Sequence, residues 1–485
     1  MGRRLRITRG PEGIPRRDLP LFPGNRRSLS RHRGFPSPSS TLSLVPVTKD
    51  STRNRRERNV LVLLVVAYAS LYLCRANIEP AWTMLAVQYG YDNEQTGAIF
   101  ATALGAYAIG KVVLGAVGDV VGGKTILVFA MSCAVVASLL IGILDWPAVV
   151  GVRSALWVMG AFVVLNRFGQ SGGWGGIVHI VARWFPPERS GAVMGIASTS
   201  YDVGNVAALL LCAGLVHAGA SWRMLFVVNP LLLAAVTLVV VLALRGSPAE
   251  ASARARSPSV PFDEPVEEKE PLRSLLARLA KERGFWMAVV LSFLLTFVRA
   301  GFMTWTPRYL YDIATAAGST SALSSSIAKT TFFGIAGMTG SLVIGRLSDR
   351  WGPGRRAGIM TASLGALLCA VLALAHAHVT DPLGAAGIIG LAGLFLLGPY
   401  SLLAGAITLD VAGKRGASTT AGIVDGVGYV GASLAAFVLG SVSKRHGWSA
   451  AFDVIAGATL LALLLAGGWW WSGRPSGGAR EPNRV

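Results

Sequence analysis

Long apolar runs recur between about residue 60 and residue 472, and they constrain the fold more than any other feature of the chain. A helix needs roughly 20 apolar residues to cross a bilayer, and about twelve runs reach that length. Hydrophobic residues make up 52% of the sequence and charged residues only 14%, whereas soluble domains carry about 25% charged residues. The sequence therefore predicts an all-α membrane protein with twelve transmembrane helices. The predicted spans are 60–86, 95–118, 124–144, 155–182, 190–216, 223–245, 285–312, 323–347, 356–376, 383–409, 417–442 and 449–472.

A polar segment divides these spans into two sets of six. Residues 246–283 are rich in charge, Pro and Ser and are predicted to form a cytoplasmic linker. The flanking segments, 59–245 and 284–472, are predicted to be pseudo-symmetric six-helix halves, an arrangement common in transporters. Residues 1–58 are rich in Arg, Pro, Ser and Gly without periodicity, which predicts a disordered basic tail. Residues 473–485 are predicted to form a short cytoplasmic C-terminal tail.

The net charge of +20 could indicate a nucleic-acid partner, but the position of the charge argues against one. Much of it lies in residues 1–58 and in short loops, as on the cytoplasmic side of a membrane protein. The predicted inside loops hold most of the Lys and Arg residues, and the predicted outside loops hold few. We therefore expect both termini in the cytoplasm, in a bacterial inner (plasma) membrane, and no nucleic-acid partner.

No residue pattern indicates catalysis or a cofactor. Cys74, Cys133, Cys212 and Cys369 lie in apolar runs without ligand spacing and are interpreted as packing residues. The sequence shows no Ser-His-Asp, metal or nucleotide motif. We predict that the chain is not an enzyme, has no cofactor or metal site, and is a monomer.

One short motif ends the second span of each half. The first copy is GAVGDVVGGK, with Gly115, Asp119 and Lys124, and the second is GRLSDRWGPGRR, with Gly345, Asp349 and Arg350. The glycines would allow close helix approach, and each Asp would accept hydrogen bonds at a neighbouring helix N-terminus. Two copies in register indicate a conformational role. The pattern resembles the major facilitator superfamily, and Arg167 in RFGQ of the fourth span is similar to that superfamily's second motif.

Arg75 lies near the middle of the first apolar run. A mid-membrane Arg costs about 2.5–3.5 kcal/mol on insertion scales and usually faces a protein interior or wet cavity. Tyr68 and Tyr72 precede Arg75 by seven and three residues and share its helical face. This group could bind an oxyanion. Alternatively, Arg75 extends to the membrane surface or pairs with Glu79, which is one helical turn further on.

Arg299 holds the place in the second half that Arg75 holds in the first. Pseudo-symmetry would bring the two together near the midplane, where they repel unless an anion lies between them. Guanidinium groups match phosphate oxygens bidentately. Lys111 of the second span adds a positive charge, and Tyr107 precedes it by one turn. Alternatively, Lys111 extends to the cytoplasmic surface.

Several stretches together resemble the organophosphate:phosphate antiporter family, which transports glycerol-3-phosphate, hexose phosphates and glucose-6-phosphate. The matching stretches run from about residue 65 to 450 and include LYLCRAN, AYAIGK, GQSGGWGG, RWFPPERSG, STSYDVGN, RAGFMTWTPRYL, GPYSLLAGAITLD and AGIVDGVGYVGASLA. The resemblance implies the major facilitator fold and exchange of a phosphorylated metabolite. It covers both halves but neither the tail nor the linker.

The resemblance also implies roles for individual residues. Arg75 and Arg299 match the family's phosphate-binding arginines, and Lys111 matches its helix-two lysine. The family's pathway tyrosines correspond to Tyr68, Tyr72, Tyr107 and Tyr429. The family's helix-four histidine is replaced by Arg183, and His179 lies one turn earlier on the same face.

Charged positions of the family are missing from this chain. The lysine after the helix-one arginine is Ala76, and acids in helices seven and eight become Thr304 and Gly334. Conversely, Glu79 is an acid that the family pattern does not contain. We expect Glu79 to pair with Arg75 in the empty carrier, or else to contact an amine or hydroxyl group of the substrate.

Three functions remain open at this point. The first is exchange of a small organophosphate (sugar phosphate, glycerol phosphate or phosphoglycerate) for inorganic phosphate. The second is proton-coupled symport of organic carboxylates, with Glu79 as the proton site. The third is a phosphate-ester sensor without flux, which the basic tail motivates. The expected partners are the phosphorylated substrate, inorganic phosphate and the lipid bilayer.

Overall fold

The computed structural model describes residues 48–185, 187–248, 272–351, 355–377, 379–403 and 408–472. Its contacts separate Met1–Ser51 from the unit Thr52–Val485, and every contact described below lies in the second unit. Most of the predicted N-terminal tail, most of the linker, and all of the tail 473–485 lie outside the described residues. The predicted division into halves, linker and tails therefore stays a prediction.

Every regular element in the described ranges is a helix, which confirms the predicted fold class. The first sequence half contains α1 (Thr48–Leu71), a 3₁₀ turn (Tyr72–Cys74), α2 (Ile78–Tyr89), α3 (Asn93–Val121), α4 (Gly123–Ile143), α5 (Trp146–Val150), α6 (Val152–Gln170), α7 (Gly172–Trp184), α8 (Pro187–His217) and α9 (Trp222–Ala243). The second contains α10 (Leu272–Lys281), α11 (Arg283–Ala316), α12 (Ala322–Trp351), α13 (Arg356–His376), α14 (Pro382–Leu402) and α15 (Thr408–Ser472).

Ten helical stretches in the described ranges are long and apolar enough to cross a membrane. Two features account for the difference from the twelve predicted spans. The predicted span 155–182 is divided at Ser171 into α6 and α7. The last two predicted spans both lie in α15, whose 65 residues would extend roughly 100 Å if straight.

The α15 helix changes direction at Gly447, whose φ of 82° lies in the left-handed region that favours glycine. After this residue the chain runs antiparallel to α13. Asp453 pairs with His376 at the end of α13 at 3.0 Å, and Trp470 lies against Gly358 near the start of α13. The segment therefore crosses the protein twice, as the sequence predicted.

The buried apolar residues follow the order of the chain. One cluster of buried residues draws only on residues 279–466, and another draws only on residues 60–244. A third cluster lies within residues 76–226, apart from Ile327 and Ala436. The two sequence halves meet where α3 packs on α15 and where α8 packs on α12. In the first of these contacts, Ser433 Oγ donates to the Ala101 carbonyl at 2.7 Å.

A group of polar residues closes one end of this α3–α15 contact, and we call it the α3–α15 clamp. Asn93 Nδ2 donates to Ser443 Oγ at 3.2 Å. Lys444 Nζ lies 3.1 Å from Asp92 and 3.0 Å from Glu94. The clamp consists of Asp92, Asn93, Glu94, Ser443, Lys444 and Arg445, the last of which contacts Glu94 at 2.6 Å.

The duplicated motif is only partly as expected. A Cβ atom added at Gly115 or Gly345 would meet no atom within 4 Å, so the prediction of close helix approach at these glycines is wrong. Close approach occurs instead at Gly118, where an added Cβ would lie 3.2 Å from Ile126. Lys124 Nζ donates to the Val241 carbonyl at 3.0 Å, and Arg350 is exposed. The side chains of Asp119 and Asp349 lie outside the described residues.

Candidate functional site

The first membrane-spanning segment is broken at Arg75. Helix α1 ends at Leu71, a 3₁₀ turn covers Tyr72–Cys74, and α2 begins at Ile78. Pro80 supplies a physical reason, because a proline has no backbone N–H and its ring clashes with the carbonyl four residues earlier. That carbonyl belongs to Ala76. A regular helix through residues 72–80 is therefore disfavoured, and Arg75 projects from an irregular backbone.

Side chains of α6 satisfy the carbonyl groups that the break leaves free. Gln170 Nε2 donates to the Cys74 carbonyl at 2.9 Å, and Arg167 Nη2 donates to the Arg75 carbonyl at 3.3 Å. An unsatisfied backbone group in a membrane interior costs several kcal/mol. The end of α6 therefore stabilises the break and positions Arg75.

The Arg75 guanidinium is held by tyrosines rather than by a carboxylate. Its Nη1 donates to the Tyr107 hydroxyl at 3.3 Å and to the Tyr72 hydroxyl at 3.4 Å. Its Cζ lies 4.3 Å from the centroid of the Tyr107 ring. Among the described residues, no Asp or Glu side chain lies within ion-pairing distance of Arg75.

Arg299 has a similar environment in the second half. Its Cζ lies 4.7 Å from the ring centroid of Tyr201 and 4.7 Å from that of Tyr400. Its Nε is buried without a hydrogen-bond partner in the part of the chain that the structure describes. The Tyr201 ring meets the Tyr72 ring edge-on, with centroids 5.0 Å apart. Tyr72, which contacts Arg75, therefore packs directly on Tyr201, which contacts Arg299.

Both arginines line one cavity of about 90 Å³. Its wall draws on both sequence halves and includes Tyr72, Arg75, Glu79, Arg167, Tyr201, Asn205, Arg299 and Tyr429. The positions where the chain departs from the resembled family, Ala76, Thr304 and Gly334, also belong to this wall. Arg75 and Arg299 thus line one cavity, as expected. The three positions that differ from the resembled family lie in the wall of the same cavity.

Glu79 pairs with Arg167, not with Arg75. The Glu79 Oε1 atom lies 2.6 Å from Arg167 Nη2, and the two side chains are only 15% and 7% exposed. The expectation of an Arg75–Glu79 pair is wrong because it assumed a regular helix, whereas the backbone is broken between these residues. Arg167, predicted as a conformational motif residue, lies in the cavity wall.

Lys111 forms an ion pair with Asp425 of α15. Its Nζ also lies 4.7 Å from the Tyr429 ring centroid, and the Tyr107 and Tyr429 rings are 4.7 Å apart. Lys111 therefore pairs with another helix, with 22% of its side chain exposed, and does not belong to the cavity wall. Sequence reasoning missed Asp425, although an acid inside the apolar stretch AGIVDGVGYVG was a visible signal.

Three further predicted residues do not belong to the cavity wall, and one of them is Tyr107, whose contacts with Arg75 and Tyr429 are given above. Tyr68 packs on Trp174 with ring centroids 5.1 Å apart and on Tyr72 at 5.8 Å. His179 lies against Gly123, and its Nδ1 has no hydrogen-bond partner among the described residues. Conversely, sequence reasoning assigned no role to Tyr201 or Tyr400, although both occur in matching stretches.

Within the described residues, no cluster of three or more His, Cys, Asp or Glu side chains could hold a metal ion. The cavity wall offers cations, hydroxyl and amide groups, aromatic rings and the Glu79 carboxylate. Two guanidinium groups without carboxylate partners, each against aromatic faces, suit an anion with several oxygen acceptors.

Comparison with known proteins agrees with this architecture. The family model described as Major Facilitator Superfamily matches residues 64–436 and 313–485. A glycerol-3-phosphate transporter of Bacillus subtilis is 24% identical over 424 residues, which cover 85% of this chain and 92% of that protein. A protein of Chlamydia pneumoniae named "Probable hexose phosphate transport protein" is also 24% identical, with 82% and 88% covered.

Solved structures agree on the fold. A bacterial homologue of the human lysosomal transporter Spinster, in an inward-facing and unoccupied conformation, has a TM-score of 0.70 at 16% identity. The comparison covers 87% of this chain and 99% of that one. A D-xylose–proton symporter has a TM-score of 0.63 at 14% identity, with 86% and 98% covered. These identities support the fold alone.

Proposed function

This chain belongs to the Major Facilitator Superfamily, and from that premise we propose that it exchanges a small organophosphate for inorganic phosphate by alternating access. One observation carries the proposal. Arg75 and Arg299 line the same cavity, and neither has a carboxylate partner among the described residues. Sequence relatives named as glycerol-3-phosphate and hexose phosphate transporters point to the same class of substrate.

The cavity charges supply a reason for coupling. The two guanidinium groups repel each other in a poorly hydrated space, where charges interact more strongly than in water. An empty carrier that closes around them pays this cost without compensation. A bound phosphate offsets it through bidentate hydrogen bonds from each arginine. The carrier therefore reorients when loaded with the ester or with inorganic phosphate, which amounts to exchange.

Counterflow tests the exchange directly. In proteoliposomes, uptake of labelled phosphate should require phosphate or a phosphate ester on the opposite face, and it should not require an imposed proton gradient. Protein-free liposomes provide the background. Accumulation driven by a pH gradient alone, with competition by carboxylates, would establish the proton-coupled symporter instead. Glu79 in the cavity wall is the observation that favours this second candidate. Ligand binding without any flux would establish a sensor.

Alternating access also requires the α3–α15 clamp to open. We expect that cross-linking Asn93→Cys to Ser443→Cys with a short bifunctional thiol reagent abolishes exchange, because the side chains of these residues are 3.2 Å apart in the closed clamp. Initial rates of labelled phosphate exchange measure the effect. Each single variant and the unmodified chain, treated identically, control for reaction at the native cysteines. Full exchange after complete cross-linking would show that this end does not need to open.

A further inference from the structure

We propose that Glu79 determines substrate specificity within the class named above. Its carboxylate accepts a hydrogen bond from a hydroxyl group of the organic part, and it rejects phosphate esters that carry a second anionic group there. The inference rests on the proposed function, because it assumes that a phosphate group occupies the arginine pair. It narrows the substrate to a hydroxyl-bearing phosphate ester with a single anionic end.

The position of Glu79 places its carboxylate beside the phosphate site. Glu79 follows the backbone break that presents Arg75, and both side chains line the same cavity. Arg167 contacts only the Oε1 atom of Glu79. In the described part of the chain the Oε2 atom has no hydrogen bond, and the side chain keeps 15% of its surface exposed. A carboxylate has room for about four hydrogen bonds, so Glu79 can accept one from a ligand.

The balance of charge leaves no cation for a second anionic group. The cations of the cavity wall are Arg75, Arg167 and Arg299, and Arg167 is neutralised by Glu79. Lys111 is outside the wall and is neutralised by Asp425. A doubly charged phosphate balances Arg75 and Arg299. A further negative charge in the same ligand finds no free cation in the wall and lies beside the Oε2 atom of Glu79, in a space where charges are weakly screened.

The neutral part of the wall suits a ligand of mixed character. Polar groups come from Asn205, Thr304 and Thr330, and apolar surface comes from Leu104, Leu209, Phe302 and Phe333. Thr and Asn side chains can both donate and accept hydrogen bonds, so they match hydroxyl groups without adding charge. Among the residues that the structure describes, Glu79 is thus the one acidic group in the wall, and therefore the one that disfavours negative charge in the ligand.

Two phosphate esters test whether the cavity rejects a second anionic group. Glycerol 3-phosphate and 3-phosphoglycerate share a three-carbon chain with phosphate at one end, and they differ in a hydroxymethyl group or a carboxylate at the other. Each is titrated against exchange of labelled phosphate in phosphate-loaded proteoliposomes. We expect glycerol 3-phosphate to compete about tenfold better, a difference of about 1.4 kcal/mol in binding free energy. Glu79→Gln should reduce this preference by about tenfold while phosphate exchange remains measurable.

A second variant tests whether the preference depends on the Glu79 carboxylate itself or on the net charge of the cavity, which Glu79→Gln also changes. Glu79→Gln leaves Arg167 as a buried unpaired cation, which can destabilise the protein and attract any anion. The double variant Glu79→Gln/Arg167→Gln keeps the net charge of the cavity and should also lose the preference. Asp312→Asn is the matched control. Asp312 pairs with Arg308 at 3.0 Å and is not in the cavity wall, so its loss should leave the preference unchanged.

The outcomes distinguish this inference from the proposed function. Equal competition by the two esters in the unmodified chain would overturn the role of Glu79 and leave phosphate exchange intact. An unchanged preference in the folded double variant would overturn it as well. Absence of phosphate counterflow in the unmodified chain would instead overturn the proposed function.

Discussion

Arg75→Lys and Arg299→Lys are each expected to reduce phosphate exchange by about 100-fold. A lysine ammonium is a point charge and cannot form the bidentate fork that a guanidinium offers to phosphate oxygens. The loss of charge-assisted hydrogen bonds worth about 1.5–3 kcal/mol accounts for a change of this size. The lysine also loses the stacking of a planar group on Tyr107 or Tyr201, at 4.3 Å and 4.7 Å.

Initial rates of labelled phosphate exchange, normalised to reconstituted protein, measure this effect. Arg189→Lys is the matched control, because Arg189 pairs with Glu57 at 2.9 Å and its side chain is 57% exposed. This control should exchange phosphate at the rate of the unmodified chain. Size-exclusion profiles in detergent check that each variant is folded. Exchange at the normal rate in either cavity variant would rule out the arginine pair as the phosphate site.

The second large effect concerns the Lys111–Asp425 pair. Lys111→Gln and Asp425→Asn should each strongly reduce exchange or the yield of folded protein. The two side chains are 22% and 39% exposed, but both lie within membrane-spanning helices. Removing one partner therefore leaves an uncompensated charge in a segment where a lone charge is costly. The double variant Lys111→Gln/Asp425→Asn should regain a substantial part of both, since two neutral amides leave no lone charge between α3 and α15.

Thermal stability in detergent and exchange rates in proteoliposomes measure this recovery. The comparison decides between two roles for Lys111. The structure pairs Lys111 with Asp425, whereas the family resemblance implies contact with substrate. If the double variant is as stable as the unmodified chain but exchanges no better than Lys111→Gln, Lys111 contacts the substrate during transport. Recovery of exchange would assign Lys111 to the contact between the helices.

The sequence alone was sufficient for the membrane-spanning helices and for the arginine pair. The long apolar runs determine the helices, because backbone groups in a bilayer must bond within their own segment. The cost of placing a guanidinium at the middle of a span made Arg75 and Arg299 stand out. The tyrosines beside Arg75 and Lys111 could also be found from the sequence, since Tyr72 and Tyr107 precede these two cations by about one helical turn.

Only the tertiary structure decided which charges neutralise each other. Glu79 pairs with Arg167 across 88 residues, and Lys111 pairs with Asp425 across 314 residues. Helical periodicity gives neighbours only within a regular helix, and it failed for Arg75 and Glu79 because the backbone breaks between them. Charges on different helices meet through the packing of the whole bundle, which local spacing does not encode. That packing leaves Arg75 and Arg299 as the unpaired cations of the described cavity wall.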